Sequence, residues 1–445
     1  MRFVRSFGKS FARAAFACIV ILPNASLGGA RPQGATNAIS LGAVTDRTNA
    51  LYRCGERAEF TVTVAGLANL VGTGRAERIN IHLSLDGGKT IADMELPAKD
   101  SITVTNTLDE PGFLRCDAVY NAAGKKYRAC AAAGFEPERI KSAAVMPDDL
   151  DSFWNDGIRK LGKMPLDAKM ESIPEYSDDG AQSFKISLQN VDGSRIYAYL
   201  GIPAKRPPPF PVHVLIPGAG VGPKSAQWVK DWAGKGAIAL NVAVHSFDIG
   251  LPRGEIDQKY GHFCLPETYA GVTNREAYIF RRSILGIDRL IKYAAARPDF
   301  DGRHIVVSGS SQGGGLALIM AGLNPAITAC AVNVPALSDH GGYLLGRAPG
   351  WPCFVPEGNP DRAAYLECSR YYDAANFARK IKCPVIASAG FIDPVCHPGS
   401  VYAAYNEIGA SKRMFTGPLQ GHETIKSFSE FSDAWIMEQL DLGKK

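Results

Sequence analysis

Residues 38–140 alternate apolar and polar side chains in short runs, a pattern typical of strands with one buried face. The alternation is clearest at 58–64 and 79–85, and turn-forming residues follow at 86–88 and 110–112. About 100 residues of short strands separated by turns favour a small sandwich of the immunoglobulin type. We therefore predict an all-β accessory domain at residues 38–140, in which no residue pattern indicates a chemical reaction.

From residue 147 onward, uninterrupted apolar runs replace this alternation. A hairpin is predicted first, with strands at 184–191 and 195–202 joined at Asp192-Gly193. Runs typical of fully buried strands follow at residues 212–216, 237–244, 305–308, 328–334 and 384–389. Helical patterns lie between them, notably at 274–296 and 312–323. Buried strands alternating with helices predict an α/β fold, with a mostly parallel sheet covered on both faces, for a second domain at 147–445.

The first 30 residues have the three parts of a secretory signal peptide. Basic residues end at Arg13, an apolar run covers 14–22, and small residues follow at 25–30. The apolar run is too short to cross a bilayer, which takes about 20 residues. We predict a signal peptide at residues 1–30 and a secreted or periplasmic mature protein without a membrane partner. A short membrane-facing helix is the alternative.

The charge of the chain argues against a nucleic-acid partner. The formal net charge is +5, but four of the basic residues lie in the predicted signal peptide, which leaves +1 for the remainder. The mature sequence has no Lys/Arg cluster that would form a basic face, so we expect no nucleic-acid binding.

Nine of the ten cysteines remain after the predicted cleavage, and an exported chain can form disulfides. Cys116 with Cys130, and Cys353 with Cys368, are the plausible local pairs. The cysteines and histidines lack the spacing of a zinc site, and the sequence has no phosphate loop or dinucleotide fingerprint. We therefore expect neither a metal nor a cofactor.

One motif points to a nucleophile. Residues 309–313, Gly-Ser-Ser-Gln-Gly, fit G-x-S-x-G with Ser311 at the centre. A strand pattern comes directly before the motif and a helix pattern directly after it, which is the setting that holds such a serine on a sharp turn. Ser310 lacks the flanking glycines, so Ser311 is the candidate nucleophile.

A serine hydroxyl needs a base to take its proton, and the base follows late in chains of this fold. His422, preceded by Gly421 in the last predicted loop, is the candidate base. His340 and His397 are the other histidines beyond Ser311.

The base in turn needs an orienting carboxylate between the serine and the histidine in the chain. Asp393 is the candidate, because it follows the run at 384–389, where the carboxyl end of a strand opens into a loop. Asp339, after the preceding run, is the alternative acid. Asp373 fits the N-cap of a helix better.

Two backbone N–H groups are candidates for stabilising a developing oxyanion. One belongs to Gln312, directly after the nucleophile. The other belongs to Ala219, in the small-residue loop at 217–220 that follows the run at 212–216. A plain tight turn is the alternative interpretation of that loop.

The residues around these candidates resemble the acetyl xylan esterases and cephalosporin C deacetylases of carbohydrate esterase family seven. The similar segments are residues 309–316 (Gly-Ser-Ser-Gln-Gly-Gly-Gly-Leu), 371–378, 391–398 (Phe-Ile-Asp-Pro-Val-Cys-His-Pro), 401–406 and 421–423. The resemblance covers about residues 150–440. It implies an α/β-hydrolase fold with Ser311, Asp393 and His422 as the catalytic triad, and removal of acetyl groups from sugar hydroxyls without a metal.

The sequence also departs from that family. The family usually carries His-Gly-Tyr where this chain has Pro217-Gly218-Ala219, so the aromatic wall supplied by the tyrosine is missing. Residues 244–248 replace an Arg-Gly motif, and the N-terminal β module is absent from compact members. Family members often form ring oligomers. The resemblance therefore implies a homo-oligomer, although the extra N-terminal β module could prevent its assembly.

The expected function is a secreted serine esterase that hydrolyses acetyl esters on polysaccharide or oligosaccharide through an acyl-enzyme. A general or aromatic-acyl carboxylesterase, and less so a peptidase, are the alternatives on the same fold. A carbohydrate-binding protein with an inert hydrolase domain is the alternative from another class.

Overall fold

A computed structural model describes residues 39–67, 78–122, 124–220, 225–245, 247–260, 269–353 and 358–443. The predicted signal peptide and Cys264 lie outside the described residues. Within those ranges, no helix combines the length and apolar character that a bilayer crossing requires.

The N-terminal part of the chain forms two sheets that face each other. Its strands are β1 (Ser40–Thr45), β2 (Leu51–Tyr52), β3 (Ala58–Ala65), β4 (Arg78–Leu85), β5 (Thr90–Pro97), β6 (Ser101–Asn106), β7 (Gly112–Ala122) and β8 (Lys125–Phe135). One sheet has the order β1-β3-β6 and the other β2-β8-β7-β4-β5. Alternate side chains from both sheets, such as Phe60 and Ile81, form a shared apolar core, as expected for a sandwich.

The remaining strands form one large mixed sheet. They are β9 (Lys169–Ser172), β10 (Ala181–Gln189), β11 (Arg195–Pro203), β12 (Phe210–Ile216), β13 (Ile238–Ala243), β14 (Phe300–Ser310), β15 (Ala329–Asn333), β16 (Val385–Gly390) and β17 (Lys412–Gly417). Their order is β17-β16-β15-β14-β12-β13-β11-β10-β9. Strands β12 to β17 run parallel, and β9 to β11 add an antiparallel edge.

Helices cover both faces of this sheet. They are α1 (Leu150–Gly162), α2 (Ala226–Lys235), α3 (Arg253–Tyr260), α4 (Ile279–Ala295), α5 (Gln312–Leu323), α6 (Arg362–Ser369), α7 (Ala374–Ala378), α8 (Pro398–Glu407) and α9 (Lys426–Gln439). Helices α2 and α9 pack on one face, and α1, α4, α5, α7 and α8 on the other. All six residues of β13 and of β16 are buried, which explains their uninterrupted apolar pattern. The predicted α/β class is confirmed.

Two details differ from the sequence interpretation. Helix α4 begins at Ile279 instead of residue 274, because Asn274 forms a turn in which its side chain accepts a hydrogen bond from the Glu276 N–H. Cys116 and Cys130 are free thiols. The register pairs Cys116 with Ala131, so Cys130 is offset by one residue from the position opposite Cys116. The two side chains therefore point to opposite faces of the sheet.

The other plausible pair, Cys353 with Cys368, does not form a disulfide either, since Cys368 is a buried free thiol in α6. The division into units at 38–140 and 147–445 stays a prediction. Contacts cross that division, because Phe113 of β7 lies in the apolar core of the larger sheet.

Candidate active site

Ser311 occupies a sharp turn between β14 and α5, at the carboxyl edge of the large sheet. Its backbone dihedrals are φ 55° and ψ −125°, which a residue with a side chain rarely adopts. The turn is held by hydrogen bonds from the Ser311 N–H to the Asn333 carbonyl (3.0 Å) and from the Ala336 N–H to the Ser311 carbonyl (2.9 Å). The fold therefore maintains this strained geometry, which aims the side chain out of the sheet.

The glycines of the motif are required by close backbone contacts. A β-carbon on Gly313 would lie 1.8 Å from the carbonyl oxygen of Ile216, and one on Gly309 would lie 2.4 Å from the carbonyl of Gly313. Strand β12, the turn and helix α5 therefore pack together only without side chains at these positions.

Three side chains form a continuous hydrogen-bonded chain. Ser311 Oγ lies 3.0 Å from His422 Nε2, and His422 Nδ1 lies 2.8 Å from Asp393 Oδ2. Asp393 follows β16 and His422 follows β17, and the register pairs Gly390 with Gly417, so both loops leave the sheet at the same edge. The predicted serine, acid and base are therefore brought together across about 110 residues of sequence.

Asp393 is completely buried and its second oxygen is also bound. Oδ1 accepts hydrogen bonds from the N–H groups of Val395 (2.8 Å) and Cys396 (2.9 Å). These bonds fix the carboxylate and leave Oδ2 for His422. The imidazole is open to solvent on one side, with 28% of its side chain exposed, so a substrate can approach.

The alternative acids are held elsewhere. Asp339 Oδ2 pairs with Arg347 Nη2 at 2.6 Å, and Oδ1 accepts from the Ala143 N–H at 2.7 Å. Asp373 is the N-cap of α7, as predicted, and accepts from the Ala375 N–H at 3.0 Å.

Of the other two histidines beyond Ser311, His340 is buried and His397 is partly buried. Burial lowers the pKa of His340 and of His397 to about 4, which keeps both rings neutral near pH 7. Neither residue is placed at the Ser311 hydroxyl, whose imidazole partner is His422.

Asn333, at the end of β15, connects the elements that carry the site, and sequence reasoning missed it. Its Nδ2 donates to Ser310 Oγ (3.0 Å) and to the Glu423 carbonyl (3.2 Å). Its Oδ1 accepts from Ser388 Oγ (2.6 Å) and from the Ile425 N–H (3.1 Å). The buried amide therefore connects the Ser311 turn to the loop of His422. The available signal was a polar residue within the apolar run at 328–334.

The loop at 217–220 passes beside Ser311. A β-carbon on Gly218 would lie 3.8 Å from Ser311 Cβ, and Ala219 is exposed at this position. Gln312 is the first residue of α5, so its N–H belongs to the first turn, where helical donors lack an intrahelical acceptor. The side chain of Gln312 is held by His245, whose Nε2 lies 3.0 Å from Gln312 Oε1.

A buried thiol lies next to the hydrogen-bonded chain. Ligand atoms of Asp393, Cys396 and His422 lie within 4.8 Å of one another, a grouping that could hold a metal ion. Burial raises the pKa of the Cys396 thiol well above its usual value, and the charge of Asp393 adds to the rise. Metals bind the thiolate, which the raised pKa of Cys396 disfavours, and the His422 Nδ1 faces Asp393. This grouping therefore suits proton transfer better than metal binding.

The arrangement matches the requirements of nucleophilic catalysis by a hydroxyl group. The bond to Asp393 places a proton on His422 Nδ1, which leaves Nε2 free to accept the proton of Ser311. A helix N-terminus and a small-residue loop lie next to Ser311, where negative charge would develop on a substrate carbonyl.

Two comparisons with known sequences found similar proteins. A family model described as acetyl xylan esterase (AXE1) matches residues 136–348 and 353–439. Acetyl esterase Axe7A of Xylanibacter ruminicola is 30% identical over 402 residues, covering 89% of this chain and 90% of that protein.

Two solved structures have a similar fold. Acetyl xylan esterase 1 from Thermoanaerobacterium sp. JW/SL YS485 superposes with a TM-score of 0.58 and 22% identity, covering 68% of this chain and 98% of that chain. An acetyl xylan esterase from Paenibacillus sp. R4 gives a TM-score of 0.59 and 23% identity with the same coverage. At this level of identity, both likenesses show the fold.

Proposed function

The chain belongs to the acetyl xylan esterase family and is a carboxylic-ester hydrolase, and we propose that it is a secreted serine esterase that removes acetyl groups from carbohydrate. The observation that carries the proposal is the continuous hydrogen-bonded chain from Ser311 through His422 to the buried Asp393. The family match covers all three residues.

In the first half of the reaction, Ser311 Oγ attacks the acetyl carbonyl carbon while His422 Nε2 takes the hydroxyl proton. Asp393 holds the imidazole and stabilises its positive charge. The backbone N–H groups of Gln312 and Ala219 bind the oxyanion of the tetrahedral intermediate. His422 then gives its proton to the departing sugar oxygen, which leaves acetyl-Ser311.

In the second half, water replaces the sugar. His422 takes a proton from the water, whose oxygen attacks the acetyl carbonyl, and the second tetrahedral intermediate expels Ser311. The proton returns to Ser311 Oγ and acetate leaves. The same three side chains thus serve both halves, and no step needs a metal or a cofactor.

Two observations bear on the substrate. The curated relative is named an acetyl esterase, which favours a short acyl group. Residues 217–219 are Pro-Gly-Ala, so the loop beside Ser311 has no aromatic side chain to enclose the acyl group. That difference keeps a general or aromatic-acyl carboxylesterase as the second candidate.

Acetate release from acetylated xylan and acetylated xylo-oligosaccharides tests the proposal, with 4-nitrophenyl esters of longer and aromatic acids measured in parallel. We expect acetate from the carbohydrate, and none above background from Ser311→Ala. Much faster hydrolysis of the aromatic esters, with little acetate from the sugars, would favour the second candidate.

Export is proposed from residues 1–30, which have the basic, apolar and small-residue parts of a signal peptide. Expression of the full chain in a bacterial host, followed by N-terminal sequencing of the protein outside the cytoplasm, tests it. A protein that stays in the cytoplasm with Met1 in place would contradict export.

A further inference from the structure

The turn between β4 and β5 of the sandwich reaches the loop that carries Asp393. We call residues 391–399 the acid loop. Asp86 of the turn is buried, with 1% of its surface exposed. Its Oδ2 accepts a hydrogen bond from the Gly399 N–H at 2.8 Å, in the first turn of α8. A side chain from the sandwich therefore accepts a hydrogen bond from a backbone N–H at the N-terminus of α8, where the acid loop ends.

The same turn fits tightly against the acid loop. A β-carbon on Gly87 would lie 2.9 Å from Nε2 of His397, and one on Gly399 would lie 2.2 Å from Oδ2 of Asp86. Gly87 has a positive φ of 77°, which a larger residue rarely adopts. The close approach of the two segments thus depends on small residues on both sides.

A second contact supports the other end of the acid loop. The ring of Phe113, at the start of β7, packs edge-on against Phe391, with centroids 5.0 Å apart. It also contacts Tyr402 of α8 at 5.7 Å. Phe113 is fully buried, and the backbone N–H of Asp86 donates to the Phe113 carbonyl at 2.8 Å, so both contacts come from one hydrogen-bonded corner of the sandwich.

These contacts bracket the catalytic acid. Phe391 lies two residues before Asp393 and Gly399 lies six residues after it. We propose that this corner of the sandwich, through Asp86 and Phe113, positions the acid loop so that Asp393 stays hydrogen-bonded to His422. The inference rests on the proposed function, since it assigns Asp86 a positioning role in the triad chemistry and assigns the N-terminal module a part in catalysis.

The electrostatics of the corner are consistent with a specific contact. Burial raises the pKa of Asp86 to about 7, and the Gly399 N–H and the charges of Arg347 and Arg115 oppose that rise. Asp339, which is paired with Arg347, adds to it. A carboxyl group in this environment is costly to bury, and its hydrogen bond to the acid loop offsets part of that cost.

The test compares kcat and KM for 4-nitrophenyl acetate, using full-length mature protein below the unfolding temperature of every variant. Asp86→Ala removes the acceptor, and Asp86→Asn keeps an oxygen that can accept the Gly399 N–H. Asp93→Ala is the matched control. Asp93 lies on β5 of the same hairpin, with 72% of its side chain exposed, and it pairs with His82. Ser311→Ala reports on the proposed function.

We expect Asp86→Ala to lower kcat by about 10- to 100-fold with KM unchanged, because small misplacements of catalytic groups cost rates of this order. Asp86→Asn and Asp93→Ala should keep kcat near the wild-type value. A role in stability alone would lower the unfolding temperature and leave kcat per folded molecule unchanged. Equal kcat in Asp86→Ala and Asp93→Ala would overturn the inference, as would equal losses in Asp86→Ala and Asp86→Asn.

Phe113→Leu provides a second test if Asp86→Ala does not fold. Leucine keeps an apolar side chain in the core but removes the edge-to-face contact with Phe391. A lower kcat at unchanged KM would support the inference, and an unchanged kcat would overturn it. Activity retained in Ser311→Ala would instead refute the proposed function, so the two failures are distinguishable.

Discussion

Replacing Asn333 with alanine should damage both the stability and the activity of the enzyme. The substitution removes four hydrogen bonds from one buried amide. It leaves the Ile425 N–H and the Ser388 hydroxyl without their acceptor, and both residues are fully buried. Each unsatisfied buried donor costs about 1–3 kcal/mol, so the free energy of unfolding should fall by about 2–6 kcal/mol.

The effect on activity follows from the two Nδ2 bonds, which join the Ser311 turn to the loop of His422. Without them, kcat should fall by about 10- to 100-fold. Urea unfolding and initial rates on 4-nitrophenyl acetate measure the two effects. Asn106→Ala is the control, because Asn106 lies on β6 of the sandwich and bonds to the neighbouring Thr107 N–H. An Asn333→Ala protein within about 1 kcal/mol of wild type and with full kcat would refute the reasoning.

Three further predictions concern single residues. Asp393→Asn should lower kcat by about 10,000-fold with little change in fold, because the amide favours the wrong tautomer of the His422 imidazole. Circular dichroism checks the fold and steady-state kinetics check kcat, and a near-normal kcat would contradict the prediction. Gly313→Ala should cost about 3 kcal/mol or more in urea unfolding, because its β-carbon meets the Ile216 carbonyl at 1.8 Å, and an unchanged midpoint would be the contrary result. Burial raises the folded-state pKa of Asp86 to about 7, so the folded protein binds a proton that the unfolded chain has released above about pH 4. The stability that Asp86 contributes is therefore present below about pH 4 and is lost as the pH rises to about 7. Between these pH values, the unfolding free energy of wild type minus that of Asp86→Asn should fall by about 1.4 kcal/mol per pH unit. A difference that does not depend on pH would contradict this prediction.

The sharp turn at Ser311 could be predicted from the sequence because local backbone crowding determines it. Only glycine fits at 309 and 313, and this requirement appears directly in the motif around Ser311. The α/β class followed from apolar runs such as β13 and β16, which are buried on both faces and therefore lose the alternation of a half-exposed strand.

Contacts between distant segments were harder to predict. Asp339 and Asp393 both follow a strand of the parallel sheet, and only the tertiary structure shows that Arg347 pairs with the first and His422 with the second. Cys116 and Cys130 look like a local pair, but a register offset of one residue separates their side chains. Asp86 reads as an ordinary turn residue, since nothing in its neighbourhood of the sequence indicates a partner more than 300 residues away at Gly399.

The central claim is that acetyl transfer passes through Ser311. Its most direct test is to quench wild-type protein with acid during turnover of an acetylated xylo-oligosaccharide and to map the acetylated peptide by mass spectrometry. The account predicts an acetyl group on Ser311 in the wild type, and none at that peptide in Ser311→Ala, which should also release no acetate. Full turnover with the acetyl group on another residue, or undiminished acetate release by Ser311→Ala, would contradict it.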